Sequence, residues 1–376
     1  MTGVKPLSRP VRHHSSHTGL LAVAQGGNAP LSGIVVPAGR PTENLEPALR
    51  LSAQLQTPIL ILCSLEAVPG DVAELAAGIP GTQATVVDLT DPSDGVLPQL
   101  ATSKFHDGTM SAVGDLSLKR NIGLVAGRAC GWRSVLFLDD DVRDLNARVV
   151  RRAAGSLEHY AAVGMPATSY PDNSVVCHAR RLVFDDQDVF VSGSALAVDL
   201  DRVCSFFPQV YNEDWLFLAP HLQPGHRAVA RSRAVQQIEY DPFKVQRARA
   251  EEFGDVLAEG LVGSLHSGAI ADAMAVGYWD EFFDHRLRFI REAVDPCYFS
   301  GAIEAAEALE TADTELQRLS PRLAADYLWA WQDDLDTWQR YLANVRIRGY
   351  LVSALGDLGL TPVRPDTRSG RRRTYA

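Results

Sequence analysis

A chain of 376 residues with 46% hydrophobic side chains can bury a large core, as one big α/β domain with an appendage or as two domains. The formal net charge of −10 excludes a general nucleic-acid binder, whose phosphate contacts need a basic face. Five cysteines, odd in number, widely spaced and without a CxxC pair, point to reduced thiols in a cytosolic protein rather than to a disulfide framework or a zinc knuckle.

No window approaches the roughly 20 apolar residues of a membrane-spanning helix, and the run Leu20–Ala24 is too short for a signal-peptide core. The expected location is therefore the cytoplasm.

Residues 1–30 are rich in Ser, His, Gly and Pro with little apolar periodicity, so a disordered leader is expected there. Its His13-His14-Ser15-Ser16-His17 run is a weak compositional signal for adventitious metal binding.

From Gly33 onward Ile34-Val35-Val36 reads as a buried strand, residues 42–55 as a helix, Ile59–Cys63 as a second strand and Thr85–Leu89 as a third. Asp115–Gly131 reads as a helix feeding the strand Val135-Leu136-Phe137-Leu138. Beyond it come a helix near 145–160, strands over 162–168 and 189–198, a helix over Glu213–His221 and extended chain over 228–240. Apolar runs alternating with helices predict an open, mainly parallel sheet covered by helices.

Past about Phe243 amphipathic patterns at 244–266, 269–294, 301–317 and 321–355 predict a helical region. The expected organisation is a leader (1–30), an α/β domain (31–243), a helical C-terminal region (244–360) and a flexible basic tail (361–376). The tail ends in Arg371-Arg372-Arg373, read as a solvated terminus. The aromatics Trp279, Phe282, Phe283, Tyr327, Trp329, Trp331, Trp338 and Tyr341, at helical spacing, read as core or as a subunit contact, which leaves homo-oligomerisation open.

The strand at 135–138 ends in Asp139-Asp140-Asp141. Ligands in open α/β sheets bind beyond the carboxyl ends of strands, so this cluster falls where a site is expected. Three adjacent carboxylates repel one another unless a cation or hydrogen bonds compensate them. A helix cap uses one aspartate, whereas Mg2+ or Mn2+ held by one or two carboxylates and a substrate phosphate uses more. If strand alternation continued, Asp139 and Asp141 would share a side, Asp141 gripping the ion and Asp139 facing the nucleotide or sharing the metal.

Lys119-Arg120-Asn121-Ile122-Gly123, then Ala126-Gly127, then Val135–Asp141 resemble the GT-A glycosyltransferases of the family 2 type, in which an Arg-Asn-x-Gly helix precedes the strand carrying a DxD motif. Ile34-Val35-Val36-Pro37-Ala38 resembles that family's first strand and nucleotide loop, followed by Glu43-Asn44-Leu45. Val191–Leu196 resembles its acceptor-side segment, and Tyr211-Asn212-Glu213-Asp214-Trp215 its acidic ED motif. The likeness covers roughly residues 33–240. After the second strand many relatives carry an aspartate, and this chain has Cys63-Ser64.

The resemblance implies a GT-A (Rossmann-like) fold and a metal-dependent transfer of a sugar, such as a hexose, from a nucleotide-sugar donor (a UDP- or GDP-sugar) to a hydroxyl of a small-molecule or soluble glycan acceptor. It implies donor contacts at Pro37, Ala38, Arg40, Glu43, Lys119, Arg120, Asn121, Asp139 and Asp140, with Lys119, Arg120 and Arg40 as cations for the diphosphate. Acceptor contacts would come from Gly193, Ser194 and Trp215. An acid pair after a turn suits a carboxylate whose pKa burial raises, so Asp214 is expected as the base, with Glu213 holding an acceptor hydroxyl or orienting its neighbour. Inversion at the anomeric carbon would follow.

The metal set is Asp139, Asp141 and a third ligand drawn from His226, Glu239, Asp241 and His266, with His266 preferred. Two rivals remain: a nucleotidyltransferase of similar sheet, disfavoured by the poor phosphate cradle Pro37-Ala38-Gly39-Arg40-Pro41, and a non-catalytic scaffold.

Overall fold

The computed structural model describes residues 11, 13–14, 16–91, 95–105, 114–168, 174–184, 190–222, 228–233, 235–267 and 270–365. The chain is a mixed α/β protein with a large, mostly parallel sheet followed by a helical C-terminal region. Its strands are β1 (Ala22–Val23), β2 (Gly33–Ala38), β3 (Ile59–Cys63), β4 (Ala84–Asp88), β5 (Ser134–Leu138), β6 (Val142–Arg143), β7 (Ala162–Gly164), β8 (Ala195–Asp199), β9 (Val229–Arg231), β10 (Gln236–Gln237) and β11 (Pro362–Val363). Among the described residues nine of these join in the order β1-β9-β7-β8-β5-β2-β3-β4-β11, while β6 and β10 pair separately. Within the nine only β8 and β11 run against their neighbours, and β6 and β10 pair antiparallel.

β2 and β3 are buried along their whole length, as parallel strands covered on both faces must be. Their alternate residues divide between two cores. Val35, Leu60 and Leu62 join the core on one face, and Ile34, Val36, Ile59 and Ile61 the core on the other. The second face is covered by α1 (Glu46–Leu55), α2 (Pro69–Ala77) and, further along, α4 (Ala147–Ser156). The first carries α3 (Leu116–Cys130), α5 (Val175–Val183), α6 (Glu213–Leu218) and the C-terminal helices α7 (Val245–Ser267), α8 (Val276–Ser300), α9 (Ile303–Arg318), α10 (Pro321–Ala343) and α11 (Leu351–Asp357). Trp279, Phe282, Tyr327, Trp331 and Trp338 are buried in that core, which runs unbroken into the sheet; Trp329 is exposed.

α3 lies close on the sheet because its contact position is a glycine. A Cβ on Gly123 would stand 2.6 Å from Val35 Cγ1 and 3.1 Å from Phe137. That closeness holds Lys119 and Arg120, one turn earlier, over the carboxyl ends of β2 and β5.

Several details differ from expectation. The segment expected to be disordered has ordered residues: Val11 is buried, residues 18–20 form a short 3-10 turn, and β1 pairs with β9 at the sheet edge. The tail expected to fray supplies β11, which closes the other edge against β4; Arg371–Arg373 lie outside the described residues. The stretch 321–355 is two helices, because the chain turns between Asn344 and Gly349, whose φ is +76°. Helices α2 and α5 appear where none was expected. No described helix is long and apolar enough to cross a membrane.

Candidate functional site

A cavity of about 590 Å³ opens at the carboxyl ends of β2 and β5, lined by Arg40, Arg120, all three aspartates of 139–141, Gly193, Ser194, Glu213 and Asp214. Five segments far apart in sequence supply these residues, which is how open α/β sheets build a site.

The aspartates do not continue the strand. Asp139 N–H still donates to Ser194 O at 2.8 Å, but Val142 N–H turns back to Asp139 O at 3.2 Å. The turn sends each carboxylate to its own partner. Asp139 accepts both contacts from Arg120 Nη2, at 2.9 and 3.1 Å. Asp140 is buried and accepts Gly39 N–H at 2.8 Å, Arg40 N–H at 2.9 Å and Arg40 Nη1 at 2.5 Å, so it shapes the loop after β2. Asp141 takes Gln237 Nε2 at 3.0 Å and Arg40 Nη2 at 2.8 Å. Burial first, then the neighbouring Asp139 charge, pushes the Asp141 carboxyl up to about 6.

Asn212 adopts a left-handed conformation, φ +58°, at the entrance to α6, and Asn tolerates that region better than most residues. The sharp entrance delivers Glu213 and Asp214 into the cavity in the first turn. Glu213 binds Arg120 Nη1, and Asp214 accepts the N–H of Gly193 on one oxygen and that of Trp215 at 2.9 Å on the other. One buried guanidinium thus faces Asp139, Glu213 and Asp214 together. Burial outweighs its help: the Glu213 carboxyl is pushed up to about 8, and Asp214 is raised in the same direction. Burial alone would lower Arg120; Asp139 and Glu213 reverse that and keep it charged.

The remaining expected residues divide. Pro37 lines the cavity, as does Ser194, whose hydroxyl is 2.6 Å from that of Ser192. Lys119 does not: its buried amine donates to Ala38 O at 2.7 Å and Ser64 Oγ at 2.6 Å and pairs with Asp115 at 3.0 Å, tying β2 to β3 beneath the loop. Ala38 is engaged there through its carbonyl. Asn121 holds both backbone polar groups of Phe207, at 2.8 Å each, and lies off the cavity. Glu43 is exposed and does not line it. Trp215 packs into the core beside Phe190, ring centroids 4.6 Å apart, instead of offering a face to an acceptor.

His266 also leaves the set. It stands 3.0 Å from His17 Nδ1 and stacks on His14 at 4.2 Å, and burial pulls its pKa down to about 4. The other nitrogen of His17 is 2.9 Å from Glu259. The histidine run of the N-terminal segment is therefore a partner of α7. Of the other third-ligand candidates, Asp241 lines the cavity, Glu239 is exposed, and His226 lies outside the described residues.

Sequence reasoning missed the wall formed by Tyr211, Gln237, Tyr240, Lys244, Arg247 and Glu251. Arg247 lies 4.0 Å over the Tyr240 ring, donates to its hydroxyl at 2.8 Å and pairs with Glu251 at 2.6 Å. The signal available was the cluster of charge and aromatic side chains at 240–251, directly before the first long helix.

Among the described residues no three His, Cys, Asp or Glu side chains already converge as a metal cage. The donor set nonetheless suits a hard divalent ion. Asp139 and Asp141 offer carboxylate oxygens to one cavity, Asp141 is destabilised by burial and by its neighbour's charge, and Arg40, with 47% of its side chain exposed, lies across Asp140 and Asp141.

No family model and no curated protein matches the sequence. Among solved structures the chain is similar to the mannosyltransferase PcManGT from Pyrobaculum calidifontis, in complex with GDP-Man and Mn2+, at 15% sequence identity and a TM-score of 0.40, over 89% of this chain and 90% of that one.

Proposed function

We propose that the chain is a metal-dependent glycosyltransferase of GT-A type, moving a hexose from a UDP- or GDP-sugar to a hydroxyl of a small or glycan acceptor. One observation carries the reading: Asp139 and Glu213 share the Arg120 guanidinium, so the aspartate cluster and the acid pair face each other across one cavity. That arrangement agrees with the order of motifs that resembles the family 2 enzymes.

In this account Asp139 and Asp141 hold Mn2+ or Mg2+, which when bound supplies positive charge for the leaving nucleoside diphosphate. Arg40 gives up Asp141 as the donor enters and turns to the phosphates. Lys244, unpaired among the described residues and on the cavity wall, takes the cationic role expected of Lys119. Asp214 receives the proton of the attacking hydroxyl. Its lifted pKa suits that step, and the amides of Gly193 and Trp215 fix its direction. Glu213, held by Arg120, positions the acceptor. Attack from the face opposite the leaving group inverts the anomeric centre.

Incubation with UDP- and GDP-sugars, Mn2+ and mixed sugar acceptors, with release of nucleoside diphosphate as readout, tests the reading. Asp214→Asn is expected to keep donor binding and to lose turnover about 100-fold or more, the scale of a general base. Full turnover in that variant would remove Asp214 from the mechanism.

A further inference from the structure

A second cavity, of about 860 Å³, lies apart from the site just described and is lined by Arg148 and Arg152 of α4, Arg231 at the end of β9, and Arg233 two residues on. None of its lining residues is a carboxylate. In a chain with 36 basic and 46 acidic residues, many of the described arginines find an acidic partner, Arg40, Arg120, Arg247, Arg286 and Arg348 among them. Among the described residues none of these four has one.

Arg148 and Arg152 are one helical turn apart and so repel each other across the face they share. Arg231 and Arg233 bring two more charges to the same hollow. The amides at the start of α4 are not the attraction, because the Asn146 side chain already accepts those of Arg148 and Val149 at 3.1 Å. What the hollow offers is guanidinium groups from two separate elements, with Ser156 and Ser232 beside them and room for more than a single small ion.

From this we infer that the hollow binds a phosphate-rich anion carrying at least two phosphoryl groups. Planar guanidinium forks match phosphoryl oxygens two at a time, and several around one cavity recognise clustered charge where one would bind a single oxyanion weakly. The anion relieves the repulsion between Arg148 and Arg152 and bridges α4 to the end of β9. The hollow opens at the same sheet edge as the catalytic cavity, since β9 runs parallel to β7 and thus in the direction of β5. Only three residues separate Arg233 from Gln237, which holds Asp141.

Titration calorimetry with inorganic pyrophosphate, at constant ionic strength and without Mn2+, tests this. The proteins compared are the wild type, Arg148→Gln/Arg152→Gln, Arg231→Gln/Arg233→Gln, and Arg40→Gln, which leaves the hollow intact and controls for binding at the catalytic cavity. The wild type and Arg40→Gln are expected to bind alike, and each double variant to bind about tenfold or more weakly, the loss of two charge-assisted contacts. Among the described residues the double variants break no ion pair, and Arg148→Gln/Arg152→Gln relieves the repulsion on α4, so without ligand neither should melt below the wild type.

A second arm separates the sources of the phosphate. Sedimentation with vesicles containing phosphatidylinositol bisphosphate, absent with phosphatidylcholine alone and lost in the double variants, makes a lipid headgroup the ligand; pyrophosphate binding without sedimentation makes it a free anion. Neither interaction in the wild type, or both persisting unchanged in the double variants, overturns the inference.

Discussion

Gly193 and Arg120 fit together only because residue 193 has no side chain: a Cβ there would lie 2.5 Å from Arg120 Nη1 and 2.8 Å from its Cζ. The same glycine donates its N–H to Asp214. One backbone position thus sets both the guanidinium that joins the two acidic groups and the direction of the proposed base. Gly193→Ala is expected to cost about 1–3 kcal/mol, as overpacking does, and to reduce turnover by more than that stability loss explains. Chemical denaturation and nucleotide release on the same preparation check it, and a variant of unchanged activity would show that Arg120 can move without consequence.

Burial of Glu213, which outweighs the help of Arg120, predicts a pH dependence. Glu213 is raised from 4.5 to about 8, so the folded chain holds a proton there that the unfolded chain has lost. The stabilisation is complete below pH 4.5 and disappears as pH rises through 8. Glu213→Gln removes that slope, and the gap between variant and wild type should widen by on the order of 2 kcal/mol from pH 5 to pH 8. Urea melts at the two values measure it.

His17 behaves in the opposite sense. Burial lowers it from 6.5 to about 4, so it docks neutral between His266 and Glu259. The native state resists a proton that the unfolded chain accepts. Stability from this contact is present above pH 6.5 and is lost as pH falls through 4. Amide exchange over residues 18–24 should accelerate at pH 4.5 relative to pH 7, beyond the intrinsic change, while β3 stays protected. Equal protection of both at pH 4.5 would contradict it.

Asp141 is kept charged at neutral pH at a cost to the fold, since its carboxyl is raised to about 6. Asp141→Asn is therefore expected to stabilise the metal-free protein by about 1–2 kcal/mol at pH 7, because the amide oxygen still accepts from Gln237. A melting curve without metal reads it directly; a lower melting temperature would mean that the Arg40 pair matters more than the burial.

The parallel strands were legible because burial on both faces leaves continuous apolar runs such as Ile59–Cys63, and the two acidic clusters because consecutive carboxylates at element ends stand out. Other parts depend on distant contacts that no local pattern records. His17 meets Glu259 and His266, 242 and 249 positions away, so the leader looked formless. α5 carries Val175, Val176 and Cys177, poor helix formers, and is held by packing on α8 and α9. Lys119 and Arg120 are adjacent in sequence but about 100° apart around the helix. Only the docking of Gly123 on β2 and β5 decides that Arg120 faces the cavity while Lys119 points under the loop.

The central claim is that the aspartate cluster holds a divalent ion together with a nucleoside diphosphate. Melting temperature measured with each nucleoside diphosphate, with and without Mn2+, tests it most directly, because a ligand of the native state raises the midpoint. The account predicts a shift that needs both Mn2+ and one nucleotide and that vanishes in Asp141→Ala. No shift with any pair, or one that persists unchanged in Asp141→Ala, would contradict it.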